Sequence, residues 1–121
     1  NIKIFLETNI KLKNIKHLLS KNKKIKICLD LGNLKSFNFD FLGEVNEIKS
    51  FIGLIHLKDK KKGKKKNEMV NKGDVDFFTN VQILKKINYK GNFTLETAPG
   101  FHPLQNAKIN YKIFNQIINN K

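Results

Sequence analysis

The stretch I-K-I-C-L-D-L-G-N at residues 25–33 decides the fold, because it joins a short apolar run to a polar residue at its end. The run Ile25–Asp30 is rich in isoleucine and leucine, and its short length is typical of a buried strand rather than a helix. Three further runs of this kind occur along the chain, at Ile2–Glu7, Phe51–His56 and Phe93–Glu96. We therefore expect four strands built on one pattern.

Segments with a helical spacing of apolar residues follow these runs. Their predicted buried faces contain Leu12, Ile15, Leu18 and Leu19; Phe41, Leu42, Val45 and Ile48; Phe77, Val81 and Leu84; and Tyr111, Phe114 and Ile118. Asp74, which follows Gly73, is expected to cap the third of these helices. The predicted order is β-α-β-α-β-α-β-α.

Strands that alternate with helices favour a parallel sheet with right-handed crossovers. At about 30 residues per unit, the pattern matches a (β/α)₈ TIM barrel, in which eight units take up ~250 residues. We therefore expect residues 1–121 to form one α/β domain, a half barrel of about four βα units with outer helices. A small doubly wound sheet is the alternative, but no glycine-rich phosphate loop follows any strand. The two end strands of a half barrel would have unpaired edges.

Each predicted strand ends in a residue that can bind metal or carry a proton, and a large aliphatic residue precedes each of them. The polar residues are Glu7, Asp30, His56 and Glu96, and the aliphatic residues are Leu6, Leu29, Ile55 and Leu95. Side chains alternate across a strand, so the aliphatic residues should point outward under the helices and the polar residues inward. In a TIM barrel, the inward positions at the carboxyl ends of the strands surround the active site.

Three carboxylates and one imidazole in a single pocket would crowd like charges together unless a cation neutralised them. Such a ligand set suits manganese, cobalt, magnesium or zinc. Taken singly, each residue also has an ordinary explanation. Glu7 and Glu96 could be surface charges, Asp30 a turn or cap residue, and His56 a buried, hydrogen-bonded histidine. The shared position of all four favours a metal site.

Four motifs carry a resemblance to a known family: I-C-L-D-L-G-N at 27–33, I-H-L-K-D at 55–59, G-D-V-D-F at 73–77 and Y-K-G-N-F-T-L-E-T at 89–97. They resemble the C-terminal half, strands five to eight, of the xylose isomerase-like TIM barrels, and in particular the sugar-phosphate isomerase/epimerase group. The resemblance implies one divalent metal ion bound by Glu7, Asp30, His56 and Glu96. It also implies that Glu7 and Glu96 form an acid/base pair, which removes a proton next to a sugar carbonyl and returns it through an enediolate.

Further residues of these motifs are candidates for binding the substrate. Asn33 stands where the family often has a histidine, three residues after the strand-end aspartate, and its amide could bond a sugar hydroxyl. Asp59 matches the family's H-x-x-D element and could orient a ligand, although an exposed turn residue is the alternative. Lys58 could contact a phosphate or hydroxyl group. Cys28 is expected to be a packing residue.

The net charge of +14 invites a nucleic-acid interpretation, which the composition does not favour. All 24 basic residues are lysines, whereas nucleic-acid readers rely on arginine for bidentate contacts. The abundance of lysine, asparagine and isoleucine is typical of an AT-rich gene. No run approaches the ~18–20 apolar residues of a membrane span, and the single cysteine favours a reducing, cytoplasmic location. The lysine-rich segment 58–72 is expected to be a mobile loop at the catalytic face.

Three hypotheses of function remain open at this stage. The first is a metal-dependent sugar or sugar-phosphate isomerase or epimerase. The second is an endonuclease IV-like hydrolase of abasic DNA, which would need additional histidines. The third is a truncated, inactive copy. On the half-barrel interpretation, the partner of this chain is a missing N-terminal half barrel or a second copy of the chain.

Overall fold

The computed structural model describes residues 2–119, and this range contains six strands and five α-helices. The strands are β1 (Ile4–Leu6), β2 (Ile25–Asp30), β3 (Ile52–Leu57), β4 (Asp59–Lys60), β5 (Asn67–Glu68) and β6 (Asn92–Leu95). The helices are α1 (Lys16–Lys21), α2 (Leu31–Ser36), α3 (Phe41–Ile48), α4 (Phe77–Lys86) and α5 (Pro103–Asn119), with short 3₁₀ turns at Leu12–Asn14 and Lys49–Phe51.

Four of the strands form one parallel sheet in the order β1-β2-β3-β6, which confirms the predicted half barrel. In the described part of the chain, β1 and β6 pair on one side only, so both sheet edges are open. The remaining strands, β4 and β5, form a small antiparallel hairpin beyond the carboxyl end of β3.

The outer face of the sheet holds the core, as the alternation of side chains predicted. Leu29 and Ile55 are 2% and 0% exposed, and they pack under the helices. Leu6 and Leu95, on the two end strands, are half-buried against the same cluster. The aliphatic layer beneath the polar strand ends is therefore present on all four strands.

The strand pairing is staggered, and the stagger decides which residues reach the same end of the sheet. Leu6 pairs with Ile27, so Glu7 is level with Cys28, two residues before Asp30. Asp30 pairs directly with His56, whereas His56 pairs with Thr94, two residues before Glu96. Strands that tilt in a barrel require such an offset of about one residue per strand. The tilt of the strands brings the four polar ends together.

The helices differ from the predictions in three respects. Asp76 caps α4 by accepting a hydrogen bond from Thr79 N at 2.9 Å, and the predicted cap Asp74 instead accepts one from Lys62 N at 2.8 Å. The short helix α2, which directly follows Asp30, was not predicted. Three residues assigned to buried helix faces are exposed, namely Leu18, Leu42 and Tyr111.

The segment 58–72 is only partly the exposed loop that its composition indicated. Lys58, Asp59 and Lys60 are buried, with exposed fractions of 5%, 0% and 9%, because Asp59 and Lys60 form β4 against α2 and β5. Residues 61–66 are exposed. Between residues 2 and 119, no helix is long and apolar enough to cross a bilayer.

Candidate functional site

Four side chains converge at the carboxyl end of the sheet, one from each strand. They are Glu7, Asp30, His56 and Glu96, and one ligand atom from each lies within 4.8 Å of all the others. The structure thus brings together the four residues that the strand-end pattern singled out. A carboxylate and histidine cluster of this kind is a candidate metal centre.

Asp30 is the most deeply placed member of the cluster. It is both the last residue of β2 and the N-cap of α2, where its Oδ1 atom accepts a hydrogen bond from Asn33 N at 2.8 Å. Its second oxygen, Oδ2, is directed towards the other cluster members, and the side chain is only 1% exposed. The cap therefore fixes the carboxylate so that one oxygen serves the helix and the other serves the site.

His56 lies at the centre of the cluster with a ring nitrogen that no hydrogen bond satisfies. Its Nδ1 atom is 2.8 Å from Glu96 Oε2, 3.1 Å from Glu7 Oε2 and 3.9 Å from Asp30 Oδ2. None of these contacts has hydrogen-bond geometry, and the nitrogen is buried. A nitrogen lone pair surrounded by carboxylate oxygens is unfavourable unless a proton or a metal ion lies between them. The donor set therefore fits a cation.

Lys58 supplies the positive charge nearest to the cluster. Its Nζ atom lies 2.7 Å from Asp30 Oδ2 and 2.6 Å from Glu96 Oε1. Burial alone would lower the pKa of Lys58, but the carboxylates of Asp30 and Glu96 outweigh this effect and raise it. With a neutral imidazole, the three carboxylates and this ammonium group carry two net negative charges, which one divalent cation would neutralise.

Asn33 and Lys60 extend the site beside Glu7. The Asn33 amide donates from Nδ2 to Glu7 Oε1 at 2.8 Å, and its Oδ1 accepts from Lys60 Nζ at 2.7 Å. An open groove of about 370 Å³ lies next to these side chains and is lined by Glu7, Thr8, Asn9, Asn33 and Phe37. The predicted residue Asn33 therefore borders both a cluster carboxylate and open space.

Asp59, which was expected to bind substrate, lies outside the cluster. It is fully buried, and its carboxylate accepts hydrogen bonds from Gly73 N at 2.9 Å and Val75 N at 3.3 Å. These bonds occupy both oxygens with backbone donors. Asp59 therefore anchors the loop before α4, a position that differs from the predicted contact with substrate.

Cys28 lies on β2 two residues before Asp30, on the same face of the strand. It is buried, and desolvation, assisted by the negative charges of Glu7, Asp30 and Glu96, raises its pKa to about 12. Its sulfur comes within 4.8 Å of ligand atoms of Glu7 and His56. A thiol with so high a pKa remains protonated at neutral pH. Because only the thiolate is a good nucleophile or metal ligand, Cys28 is not a candidate for either role.

Lys60 is the site residue that sequence reasoning missed. The lysine run around it gave no reason to separate it from its solvated neighbours. A signal was nevertheless present, because His56, Lys58 and Lys60 are spaced by two, and residues with this spacing share one face of an extended chain.

The fold and the site together define half of a TIM barrel, with a cluster of candidate metal ligands at the carboxyl ends of its strands. A family model described as xylose isomerase-like TIM barrel matches residues 3–116. The chain therefore belongs to the xylose isomerase-like TIM barrel family. No curated protein sequence matches it significantly.

Solved structures have the same fold at low sequence identity. A xylose isomerase domain protein from Planctomyces limnophilus matches with a TM-score of 0.77 and 17% identity, over 95% of this chain and 46% of that protein. The probable 3-DHS dehydratase AsbF from Bacillus anthracis gives 0.74 and 15%, over 93% and 49%. The 3-keto-D-glucoside 4-epimerase YcjR from E. coli gives 0.73 and 14%, over 94% and 46%. The chain spans about half the length of these proteins.

Proposed function

We propose that this chain supplies the metal-binding half of a sugar or sugar-phosphate isomerase or epimerase. One observation carries the proposal: the unpaired Nδ1 of His56 faces three carboxylates that come from three other strands. Family membership supports it, and so does the name of one structural relative, a 3-keto-D-glucoside 4-epimerase. Half of the substrate pocket would come from the rest of a complete barrel.

In this proposal Glu7, Asp30, His56 and Glu96 hold one divalent ion, which is manganese, cobalt, magnesium or zinc. When bound, such an ion polarises the carbonyl of a sugar and makes the neighbouring carbon-bound hydrogen more acidic. Asp30 uses Oδ1 to cap α2, which leaves Oδ2 for the ion, so we assign it to ligation alone.

Glu7 and Glu96 are the proposed acid/base pair. Their side chains are 37% and 42% exposed, so both are accessible from the open end of the sheet, and they follow the two end strands, β1 and β6. One carboxylate removes the proton next to the carbonyl to leave an enediolate, and the other returns a proton. If the second carboxylate delivers its proton to the opposite face of the enediolate, the configuration at that carbon is inverted, which is the outcome of an epimerisation.

Lys58 and Asn33 are proposed to bind the substrate at the two sides of the site. Lys58 lies against Glu96 and can donate from Nζ to a hydroxyl or phosphate oxygen. Asn33 borders the open groove beside Glu7 and can bond a sugar hydroxyl. Asp59 has no place in this proposal, because backbone donors occupy both of its oxygens.

The abasic-site hydrolase has no specific observation in its favour. It requires further histidines around a multinuclear centre, and His17 and His102 are exposed and belong to none of the ligand groups found among residues 2–119. An inactive copy predicts the same fold with no metal affinity or no exchange chemistry, so experiment distinguishes it.

Titration of the chain with Mn²⁺, followed by calorimetry, tests the metal site. The His56→Ala variant should lose at least about tenfold in affinity, since one of four ligands is removed. His102→Ala, which removes an exposed histidine outside the cluster, is the matched control and should bind like the wild type. Equal affinity in all three proteins would contradict the proposed site.

Deuterium exchange tests the chemistry separately from the metal. The Mn²⁺-loaded chain is incubated with ketose sugars and sugar phosphates in D₂O, and loss of the proton next to the carbonyl is followed by NMR. Glu96→Gln should retain much of the Mn²⁺ affinity but abolish exchange, because an amide cannot accept the proton. Metal binding without exchange, measured in a complete barrel that contains the wild-type chain, would favour the inactive copy.

A further inference from the structure

Lys60 stands apart from the other lysines of this chain. Of the lysines among residues 2–119, Lys58 and Lys60 are the two that are buried. Burying an ammonium group is unfavourable unless it has partners, and Lys58 has two carboxylates. Lys60 has a neutral partner instead, the amide oxygen of Asn33. This choice of partner calls for an explanation.

The backbone holds Lys60 in place from two sides. The residue pairs with Asn67 in the β4–β5 hairpin, and its carbonyl accepts a hydrogen bond from Asp74 N at 3.0 Å. The first turn of α2 packs closely on the same segment, since a Cβ added to Gly32 would lie 2.9 Å from the Lys58 carbonyl oxygen. Only glycine permits this approach, which sets Asn33 against the Lys60 side chain.

The contact with Lys60 determines which way the Asn33 amide points. An ammonium group can only donate, so it must face Oδ1, and the Nδ2 group then faces Glu7 Oε1. The reversed amide would place an oxygen against the Glu7 carboxylate and an NH₂ group against the ammonium. Both contacts of the reversed form are repulsive, so Lys60 and Glu7 select one orientation together.

The orientation of the amide in turn assigns the two oxygens of Glu7. Oε1 is bonded to Asn33, and Oε2 is left facing His56 Nδ1 at 3.1 Å. A glutamate side chain on its own is free to rotate, and its ordering costs entropy when a metal ion binds. A preset carboxylate avoids that cost.

We propose that Lys60 is a positioning residue, which locks the Asn33 amide and thereby presents Glu7 Oε2 to the metal site. The inference rests on the proposed function, because it names the residues that prepare Glu7 for that role. Partners beyond the ligands of a metal site commonly change its affinity by about 10–100-fold. Because Lys60 acts through Asn33, we expect its effect on Mn²⁺ affinity to lie at the lower end of this range, at about tenfold.

Mn²⁺ affinity is measured for the wild type and for variants that separate the steps. Lys60→Met keeps the aliphatic stem but removes the donor, and it should weaken affinity about tenfold. Lys60→Arg, which keeps a donor, should retain most of the Mn²⁺ affinity of the wild type. Lys61→Met changes the exposed neighbouring lysine and should have no effect. Asn33→Leu should match Lys60→Met, and the double variant should be no weaker than Asn33→Leu alone, since both residues act through one bond.

Water exchange of the Asn33 side-chain amide hydrogens, followed by NMR without metal, gives a second readout. Exchange should be faster in Lys60→Met than in the wild type or Lys61→Met. Unchanged exchange in Lys60→Met, unchanged Mn²⁺ affinity, or losses that add in the double variant would overturn the inference. A wild type that binds no Mn²⁺, together with faster exchange in Lys60→Met, would support the lock and contradict the proposed metal site.

Discussion

Replacing Asp59 with alanine should destabilise the fold strongly, although a substrate-binding interpretation predicts otherwise. The carboxylate is fully buried and accepts hydrogen bonds from Gly73 N and Val75 N. Alanine would leave both backbone donors unsatisfied in the interior. It would also remove the contact that holds the segment before α4 against β4.

The size of the effect follows from the two bonds. A hydrogen bond to a charged group contributes about 1.5–3 kcal/mol, so the loss of two such bonds in Asp59→Ala should lower the free energy of unfolding by about 3–6 kcal/mol. Domains are typically stable by only about 5–15 kcal/mol, so this is a large share. Asp74→Ala in the same loop is the matched control. Asp74 is exposed and accepts one bond, from Lys62 N, so its loss should cost about 1 kcal/mol or less.

Urea unfolding at pH 7, followed by circular dichroism, measures both variants against the wild type. Asp59→Ala should shift the midpoint far more than Asp74→Ala. Equal stabilities for the two variants would refute the assignment of Asp59 as a loop anchor. In that case a loss of substrate affinity in Asp59→Ala would restore the original interpretation of this residue.

Two further predictions concern titratable groups. The hydrogen bonds from Thr79 lower the pKa of Asp76 below its ordinary value of 3.8. The ionised carboxylate therefore stabilises the fold above pH 3.8, and this stabilisation is lost as the pH falls from 3.8 through the lowered pKa. Asp76→Ala should therefore cost about 1 kcal/mol at pH 7 in urea unfolding, and the difference from the wild type should shrink towards pH 3; a pH-independent difference would contradict this. The folded chain should not react with a thiol reagent at pH 8, because burial raises the pKa of Cys28 to about 12, and reaction should follow unfolding. Rapid labelling of the folded chain would exclude a buried thiol.

The strands and the cluster were predictable because they depend on local alternation. In each run a large aliphatic residue precedes a polar one, and this phase alone places Leu29 in the core and Asp30 in the site. The parallel sheet then requires the four ends to meet at one edge. No long-range information was needed for these steps.

The start of α4 was not predictable from local sequence. Asp74 and Asp76 are both suitable caps in front of Phe77, and the choice between them depends on Asp59, which takes the N–H groups of Gly73 and Val75. The Asp74 carboxylate accepts a hydrogen bond from Lys62 N and so does not cap the helix, while Asp59 holds Val75 N in the preceding loop. The contact joins residues 16 positions apart, so propensity could not reveal it.

The burial of Lys58 and Lys60 was hidden for a different reason. They lie in a run of lysines whose composition is typical of a solvated loop. Their burial depends on α2, a helix that the pattern did not predict, and on the close packing of Gly32 against Lys58. Lysine burial here is a consequence of tertiary contacts.

The location of a bound metal ion tests the central claim most directly. Crystals of the chain grown with Mn²⁺ would be measured at the manganese absorption edge, so that anomalous differences locate the ion independently of any assumed ligands. The account predicts one strong peak within about 2.0–2.6 Å of His56 Nδ1 and of oxygens from Glu7, Asp30 and Glu96. A peak elsewhere, or an ammonium contact from Lys58 with no manganese in the cluster, would contradict it.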